Sequence, residues 1–264
     1  MFNIIVCAKQ VPDTNEIRIN PETGTLIRDG VPSILNPDDA NALEEALKIK
    51  DMDPENVHVT VVSMGPMQAQ DMLFECLAMG ADEGVLLSDR AVGGSDTWAT
   101  SNAITATIKK LKYDIIFAGR QAIDGDTAQV GPQIAEKLDL PQVTYVQKFE
   151  LSKDKKSVTV ERQLEDGYEV IKVDLPCMLT CIKELNTPRF MNVGGIFNPN
   201  KDIKVWSAAD VEVDLNTVGL KPSPTNVFRS FTPKPKGKGE MLSGDSDKEL
   251  AEKLVGSLKK KHII

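Results

Sequence analysis

The chain has 264 residues, of which 41% are hydrophobic and 27% charged, and its formal net charge is −8. These proportions are ordinary for a globular protein and exclude a chain that is disordered throughout. The negative charge argues against nucleic-acid binding, because proteins that neutralise the phosphate backbone usually present a basic face. An acidic protein can still bind a single nucleotide locally.

The N-terminal segment MFNIIVCAKQ runs directly into a strand-like pattern. It lacks the charged and apolar regions of a secretion signal, and no later run approaches the roughly 20 apolar residues of a membrane span. The four cysteines include no C-x-x-C pair, and Cys7 and Cys76 lie in apolar surroundings typical of buried thiols. The sequence therefore predicts a cytoplasmic protein in a reducing compartment, without membrane insertion.

Short apolar runs rich in β-branched residues alternate with amphipathic stretches along the first half of the chain. This order is typical of a doubly wound α/β fold, in which helices cover a mainly parallel sheet. The predicted strands are residues 2–8, 57–63, 84–87 and 114–119. The predicted helices are residues 38–50, 66–79, 96–111 and 127–138. Asn36 and Asp96 stand where side chains could cap two of these helices.

From Gln142 the hydrophobic period changes to two, which predicts antiparallel strands. The alternating stretches cover residues 143–151, 157–163 and 168–173. Asp166 and Gly167 separate the last two stretches and form a strong hairpin signal, because glycine tolerates the positive φ of a tight turn. The pattern predicts an antiparallel extension of the parallel sheet.

The C-terminal part of the chain changes composition. Residues 221–239 are rich in Pro, Lys and Gly, which predicts an extended linker rather than a packed segment. An amphipathic helix follows it, with Leu250, Leu254, Val255 and Leu258 on one stripe. We predict a domain at residues 1–221 and an arm at residues 222–264. The helix of this arm could fold back on its own domain or reach a partner.

The common catalytic signatures are absent from the sequence, including G-x-x-x-x-G-K-[ST], G-x-S-x-G, H-E-x-x-H and a G-x-G-x-x-G after the first strand. Two histidines are present, His58 inside a predicted strand and His262 in the tail, which disfavours a histidine-based acid/base or metal site. His58 is most simply a structural residue. We predict no catalytic side chain and no metal ligand.

The candidate binding residues follow the four predicted parallel strands, where α/β proteins bind nucleotides. Small residues there let the backbone approach a ligand, and N–H groups at a helix start suit a pyrophosphate. The loop after the fourth strand is the most informative, because a capped turn would explain Asp124, Gly125 and Thr127 but hardly the whole polar stretch. The candidates are Cys7, Ala8, Lys9, Ser63, Met64, Gly65, Asp96, Thr97, Gly119, Arg120, Gln121, Asp124, Gly125, Asp126, Thr127, Ala128, Gln129 and Val130.

Three segments together resemble the beta subunit of electron-transfer flavoproteins. They are CAKQVPD at residues 7–13, the loop at residues 119–131, and a segment that begins VERQLEDGYE at residue 160 and continues to PCMLT at residues 176–180. The resemblance covers nearly the whole chain and is loosest in the arm. It implies a Rossmann-like, adenine-nucleotide-binding fold and a heterodimer with a larger alpha subunit, onto which the arm would wrap. It also adds Asn36 to the candidate binding residues.

Members of this family hold either AMP as a structural ligand or, in the electron-bifurcating type, a second FAD that accepts hydride from NADH. The loop at residues 93–97, suited to a pyrophosphate, and the stretch at residues 28–44 resemble the bifurcating type. The resemblance then implies an NADH-oxidising subunit that acts only in complex. One electron would pass to ferredoxin or flavodoxin, and the other through the alpha-subunit FAD to a flavin dehydrogenase.

The stretch between Arg189 and Gly195 resembles the start of the family's recognition loop for a partner such as an acyl-CoA dehydrogenase. An ordinary surface connection is the alternative interpretation.

Two other functions stay open from the residues alone. A nucleotide-binding sensor module would use the same α/β core without a second subunit, although the apolar helix of the arm needs a surface to cover. A metal-dependent hydrolase would use Asp124 and Asp126, but these carboxylates lack further ligands at a recognisable spacing.

Overall fold

The computed structural model describes residues 1–13, 32–197, 203–225, 227–228 and 237–264. The described residues belong to two compact units, one extending to residue 228 and the other formed by residues 237–264. Much of the predicted linker, residues 226 and 229–236, lies outside the described residues, as do residues 28–31 of the stretch that resembles the bifurcating type. The predicted boundary after residue 221 therefore stays a prediction.

The first unit contains strands and helices in the alternating order that the sequence predicts. Its strands are β1 (Phe2–Cys7), β2 (Gln10–Pro12), β3 (Ser33–Leu35), β4 (Val57–Met64), β5 (Glu83–Leu87), β6 (Ile115–Gly119), β7 (Gln142–Leu151), β8 (Ser157–Leu164), β9 (Gly167–Asp174), β10 (Cys177–Cys181) and β11 (Ile203–Trp206). Its helices are α1 (Pro37–Met52), α2 (Ala69–Met79), α3 (Thr97–Ile108), α4 (Val130–Lys137) and the single-turn α5 (Val193–Ile196).

The described strands form one mixed sheet in the order β11-β5-β4-β1-β6-β10-β7-β8-β9, and β2 and β3 form a separate ribbon. Pairing is parallel from β11 to β7 and antiparallel between β7, β8 and β9. The mainly parallel α/β fold with an antiparallel extension is therefore confirmed. The predicted hairpin is also present, but its loop is Glu165-Asp166, and Gly167 already pairs with Leu164.

Helices cover both faces of the parallel sheet. Successive residues of a strand point to opposite sides, so neighbouring residues of β1 pack against different helices. In β1, Ile4 and Val6 belong to the core cluster that contains α1 and α2 residues. Ile5 packs instead with Ile108 of α3 and Ile134 of α4. The fold is therefore doubly wound, and the strand order reverses between β1 and β6. A crevice for ligands forms beyond the carboxyl ends of such strands.

The structure corrects one predicted helix cap. Asn36 precedes α1, but its side chain makes no cap hydrogen bond within the described chain. Its Nδ2 donates to the carbonyl of Gln121 at 2.9 Å, and its Oδ1 accepts from the Ile123 N–H at 3.1 Å. The Asn36 side chain therefore holds the loop after β6, a long-range contact that sequence spacing does not reveal. At α3 the prediction is confirmed, because Asp96 Oδ1 accepts from the Ala99 N–H at 2.9 Å.

The second unit contains the predicted amphipathic helix, α6 (Asp247–Lys260). Ser246 caps its start by accepting from the Glu249 N–H. Leu254 and Val255 on the apolar stripe are 50% and 41% exposed, and none of the α6 residues is buried. No helix among the described residues combines the length and the apolar character needed to cross a membrane.

Candidate functional site

A cavity of about 380 Å³ lies beyond the carboxyl ends of β1 and β6, at the point where the strand order reverses. Small-molecule sites typically measure about 300–1,000 Å³. The predicted residues that line the cavity are Cys7, Ala8, Lys9, Met64, Asp96, Thr97, Gly119, Arg120, Gln121, Gly125, Thr127, Ala128, Gln129 and Val130. The structure thus brings most of the predicted site together in one place.

The other predicted residues surround this cavity without lining it. Asn36 is buried and supports the loop after β6, as described above. The Asp124 carboxylate pairs with Lys9 Nζ at 2.6 Å, and Asp126 accepts from Gln121 Nε2 at 3.0 Å. The two aspartates therefore organise the loop and its basic neighbour.

Ser63 and Gly65 also lie outside the first cavity. Ser63 is buried, and its Oγ has no hydrogen-bond partner among the described residues. Gly65 lines a second cavity of about 550 Å³, together with Gly93 and Gly94. Both cavities share the lining residues Lys9, Met64 and Ser95. The loop at residues 93–97 thus borders both cavities.

Several lining residues of the first cavity are not among the individually predicted binding residues, although Ser95, Ala122 and Gly131 lie in the predicted loops at residues 93–97 and 119–131. The polar ones are Asp39, Ser95 and Thr100. Thr100 lies three residues after the predicted Thr97, so helical spacing could have identified it. The remaining ones are Val62, Ile104, Ala118, Ala122, Gly131 and Ile134, which form apolar or small parts of the wall.

The first turn of α3 carries an acidic cap. Asp96 Oδ1 accepts from the Ala99 N–H, and its Oδ2 accepts from the Thr225 N–H at 2.8 Å. The Asp96 N–H in turn donates to Ser223 Oγ at 2.9 Å. Desolvation raises the pKa of Asp96, but the backbone hydrogen bonds from Ala99 and Thr225 outweigh it, so the pKa is lowered overall. This helix start therefore carries a negative charge at neutral pH.

The first turn of α4 is built differently. Gln129 precedes it without a side-chain cap hydrogen bond in the described chain. Asp126 and Ala128 have positive φ values of 49° and 52°, an uncommon conformation for residues other than glycine. A Cβ on Gly131 would lie 2.7 Å from Thr180 Cγ2, so glycine permits α4 to start close to β10. These features leave a helix N-terminus at the cavity without an acidic side chain on it.

The cations at the cavity are each paired with a carboxylate. Lys9 pairs with Asp124, and Arg120 Nε lies 3.3 Å from Asp38 Oδ2. The Arg120 guanidinium also lies 5.7 Å from the ring centroid of Tyr145. A phosphate could bind both cations, although each would then share its charge with a carboxylate. The described residues contain no cluster of three His, Cys, Asp or Glu suited to a metal ion.

The segment that resembles a recognition loop presents apolar side chains. Arg189 anchors it to α1 through Glu44, with an Nε–Oε2 distance of 2.8 Å. Asn192 Nδ2 donates to the Ala78 carbonyl at 2.8 Å and fastens it to α2. Phe190 in this segment and Phe197, two residues after it, nevertheless remain 94% and 79% exposed. Exposed apolar side chains on a fixed backbone are typical of a protein interaction site.

Comparison with known proteins agrees with this arrangement. A family model described as an electron transfer flavoprotein domain matches residues 23–211. A protein of Acetobacterium woodii named caffeyl-CoA reductase-Etf complex subunit CarD is 62% identical over 265 residues. The electron transfer flavoprotein subunit beta of Clostridium acetobutylicum is 60% identical over 264 residues. The acryloyl-CoA reductase electron transfer subunit gamma of Anaerotignum propionicum is 53% identical over 273 residues.

Each of these alignments covers 100% of both chains. The family model alone matches more than half of the chain. The chain therefore belongs to the electron transfer flavoprotein family, in which its relatives include beta subunits.

Proposed function

We propose that this chain is the small subunit of a heterodimeric electron-transfer flavoprotein and binds FAD at the cavity between β1 and β6. The complex takes electrons from NADH and divides them. One electron goes to ferredoxin or flavodoxin, and the other passes through an FAD of the alpha subunit to a flavin dehydrogenase. The subunit works in the cytoplasm and only within the complex.

The observation that carries the FAD assignment is the pair of adjoining cavities. The first, of about 380 Å³, is of a size for a mononucleotide, and the second, of about 550 Å³, continues past Lys9, Met64 and Ser95. An extended dinucleotide could occupy both neighbouring cavities, whereas AMP would occupy only one. The N-terminus of α4 and the side chains of Lys9 and Arg120 offer a helix dipole and positive charge for its phosphates.

When bound, FAD supplies the hydride and single-electron chemistry, while the protein binds and orients it. The small residue Ala8 lets the backbone approach it, and Asn36 fixes the loop beside it. Apolar residues such as Ile104 and Ile134 keep water from part of the wall. We assign no acid, base or nucleophile to the chain.

The proposed partners follow from the exposed surfaces and from the relatives. Two relatives carry names that associate them with caffeyl-CoA reductase and acryloyl-CoA reductase. We propose a flavin dehydrogenase of the acyl-CoA class as the partner of the segment from Arg189 to Gly195. The exposed Phe190 beside Arg189 supports this assignment. The apolar stripe of α6 is proposed to contact the alpha subunit.

One observation favours the alternative of a simpler electron carrier with structural AMP. The Asp96 carboxylate stands at the start of α3, where a second phosphate group of FAD would meet a like charge. A mononucleotide whose phosphate lies at the start of α4 would avoid this charge. The two versions differ in how many flavins the complex holds.

Flavin counting on the co-expressed and co-purified two-subunit complex tests the proposal. We expect two FAD molecules and no AMP per heterodimer after the complex is denatured and its nucleotides are separated. One FAD and one AMP would contradict bifurcation and leave the simpler carrier. A colourless chain that binds ATP and purifies without a second subunit would instead identify a sensor module.

A further inference from the structure

The carboxylate of Asp39 joins the ends of the two strands at which the sheet order reverses. Its Oδ2 accepts from the Lys9 N–H, just after β1, at 2.9 Å. Its Oδ1 accepts from the Gly119 N–H, at the end of β6, at 2.8 Å. Asp39 is 7% exposed and lines the first cavity. One buried side chain therefore fixes the spacing of the two strand ends beside the proposed cofactor.

The packing around Gly119 leaves this carboxylate little freedom. A Cβ on Gly119 would overlap Asp39 Oδ1 and would lie 2.7 Å from the backbone nitrogen of Asp39. The start of α1 thus approaches β6 so closely that only glycine fits. The Asp39 carboxylate cannot swing away without breaking both backbone hydrogen bonds.

The surroundings of Asp39 are poor in free positive charge. Burial is the largest influence and raises the pKa of Asp39 to about 7, although hydrogen bonds from the Lys9 and Gly119 N–H groups and the Asn36 side chain oppose it. The neighbouring cations already pair with other carboxylates, Lys9 with Asp124 and Arg120 with Asp38. The other titratable groups that interact with it are Cys7 of β1, Asp38 of α1, Cys76 of α2 and Cys181 of β10.

The thiols among these groups stay neutral near pH 7, because burial, the largest cause in each case, raises the pKa of Cys7 to about 12 and also raises that of Cys181. Among the described residues that line the cavity, Asp39 is therefore a buried group whose charge can change near neutral pH. A protonated carboxyl keeps acceptor capacity and gains one O–H donor. The strand ends can stay joined while the negative charge disappears.

We infer that Asp39 is a positioning residue of the cofactor site, which clamps the ends of β1 and β6 and takes up a proton when an anionic nucleotide enters the cavity. The inference rests on the proposed function, because it requires a phosphate-bearing ligand there. The physical reason is that a second negative charge nearby disfavours the ionised carboxylate. Sites of this kind bind anions more weakly as the pH rises through the pKa of the buried acid.

The test uses the full chain, freed of bound nucleotide, with ADP-ribose as the probe. ADP-ribose is a diphosphate diester, so its own charge is constant near neutral pH. Calorimetric titrations at about pH 8 in buffers with different ionisation enthalpies measure the protons taken up on binding. We expect a fractional uptake in the wild type and none in Asp39→Asn. We also expect the wild-type affinity to fall several-fold between about pH 6 and pH 8, and the variant affinity to stay level.

Hydrogen exchange tests the clamp separately. In Asp39→Asn one of the two amide protons, that of Lys9 or that of Gly119, should exchange faster than in the wild type, because the asparagine oxygen can accept from one of them while its NH₂ group accepts no hydrogen bond. Asp71→Asn is the matched control: it removes the same charge from an exposed position of α2 that lines neither cavity, and it should leave proton uptake and exchange unchanged.

Equal proton uptake in the wild type and Asp39→Asn would overturn the inference, as would binding of ADP-ribose without any uptake in the wild type. If Asp39→Asn does not fold, the pH dependence of proton uptake in the wild type tests the inference instead. This uptake should vanish near pH 5, where Asp39 is already protonated. Absence of ADP-ribose binding in every protein would overturn the proposed function itself, which is a distinct result.

Discussion

The starts of α3 and α4 border the same cavity but differ in whether a side chain accepts hydrogen bonds from their N-terminal N–H groups. At α3, Asp96 caps the helix with a carboxylate and also holds the Thr225 N–H. At α4, Gln129 provides no cap hydrogen bond within the described chain, and the two residues with positive φ precede the helix. A helix N-terminus attracts phosphate less when a carboxylate already neutralises its dipole, so the α4 start is better suited to phosphate than the α3 start.

The two starts are nevertheless connected. Thr97 Oγ1 donates to Gln129 Oε1 at 2.9 Å, so a shift of one turn affects the other. We expect phosphate to lie mainly at the α4 start, with the α3 start modulating its affinity through the Asp96 charge. The following changes test that difference, beginning with the largest expected effect.

Gly131→Ala should disturb the α4 start most. The new methyl group would lie about 2.7 Å from Thr180 Cγ2, which is shorter than van der Waals contact. Overpacking of this kind costs about 1–3 kcal/mol, so denaturant unfolding should show a loss of that size. Because α4 must move away from β10, ADP-ribose binding measured by calorimetry should weaken as well.

Thr180→Ser in the same chain provides the control for this change. It removes the opposing methyl group but keeps the hydroxyl that accepts from the Tyr145 N–H at 3.3 Å. The double variant should recover most of the lost stability and affinity. Wild-type stability in Gly131→Ala alone would show that α4 is not held tightly against β10.

Asp96→Asn should change the α3 start by a smaller amount. Asparagine keeps the cap but removes the negative charge, so ADP-ribose should bind roughly two- to fivefold more tightly. Asp96→Ala separates the two effects, since it removes the charge and the cap together and should cost about 1 kcal/mol of stability. Unchanged ADP-ribose affinity in Asp96→Asn would place the phosphates away from α3.

Asp96→Asn should also change how the stability of the chain depends on pH in acid. Because the pKa of Asp96 is lowered in the folded chain, its ionised form contributes stability above the ordinary carboxyl range. That contribution disappears as the pH falls through the folded pKa. Unfolding measured from about pH 6 down to pH 3 should therefore show a smaller stability loss in Asp96→Asn than in the wild type. An identical acid dependence would contradict the hydrogen bonds that Asp96 accepts.

Ala128→Gly should have the smallest effect. Glycine adopts positive φ without the steric cost that alanine meets, but it loses more backbone entropy on folding, so we expect a gain of about 0.5 kcal/mol or less. Thermal unfolding measures the shift. Ala122→Gly in the same loop is the control, because Ala122 has no positive φ and the same substitution should lower stability. Equal destabilisation in both variants would argue against the left-handed conformation of residue 128.

The parallel strands and the site they create follow closely from sequence patterns. β1, β4, β5 and β6 are buried on both faces and therefore appear as apolar runs that end at polar loops. Since parallel strands end at one edge, the loops that follow them meet there. This explains why most of the predicted binding residues line one cavity.

The features of the fold and the site that the sequence does not predict depend on contacts between residues far apart in the chain. β10 is a central strand, but its five residues include Thr180 as the one β-branched residue and follow Pro176, so the sequence does not predict a strand there. The role of Asn36 is decided by its approach to Gln121, 85 residues away, and the role of Asp39 by two strand ends that meet only in the folded sheet. The helices that start at Ala69 and Val130 begin three residues later than predicted. Met67 and Gln68 form a turn before the first, and residues 127–129 before the second are irregular, with Ala128 at positive φ.

The position of β10 also constrains how the polypeptide can be synthesised and divided. The chain leaves β6, builds the antiparallel strands β7, β8 and β9, and only then returns to insert β10 beside β6. A ribosome-bound fragment that stops near residue 174 would leave β6 with an open edge under the cavity. Truncation at the change of hydrophobic period, near residue 142, should therefore not yield an independently folded nucleotide-binding half.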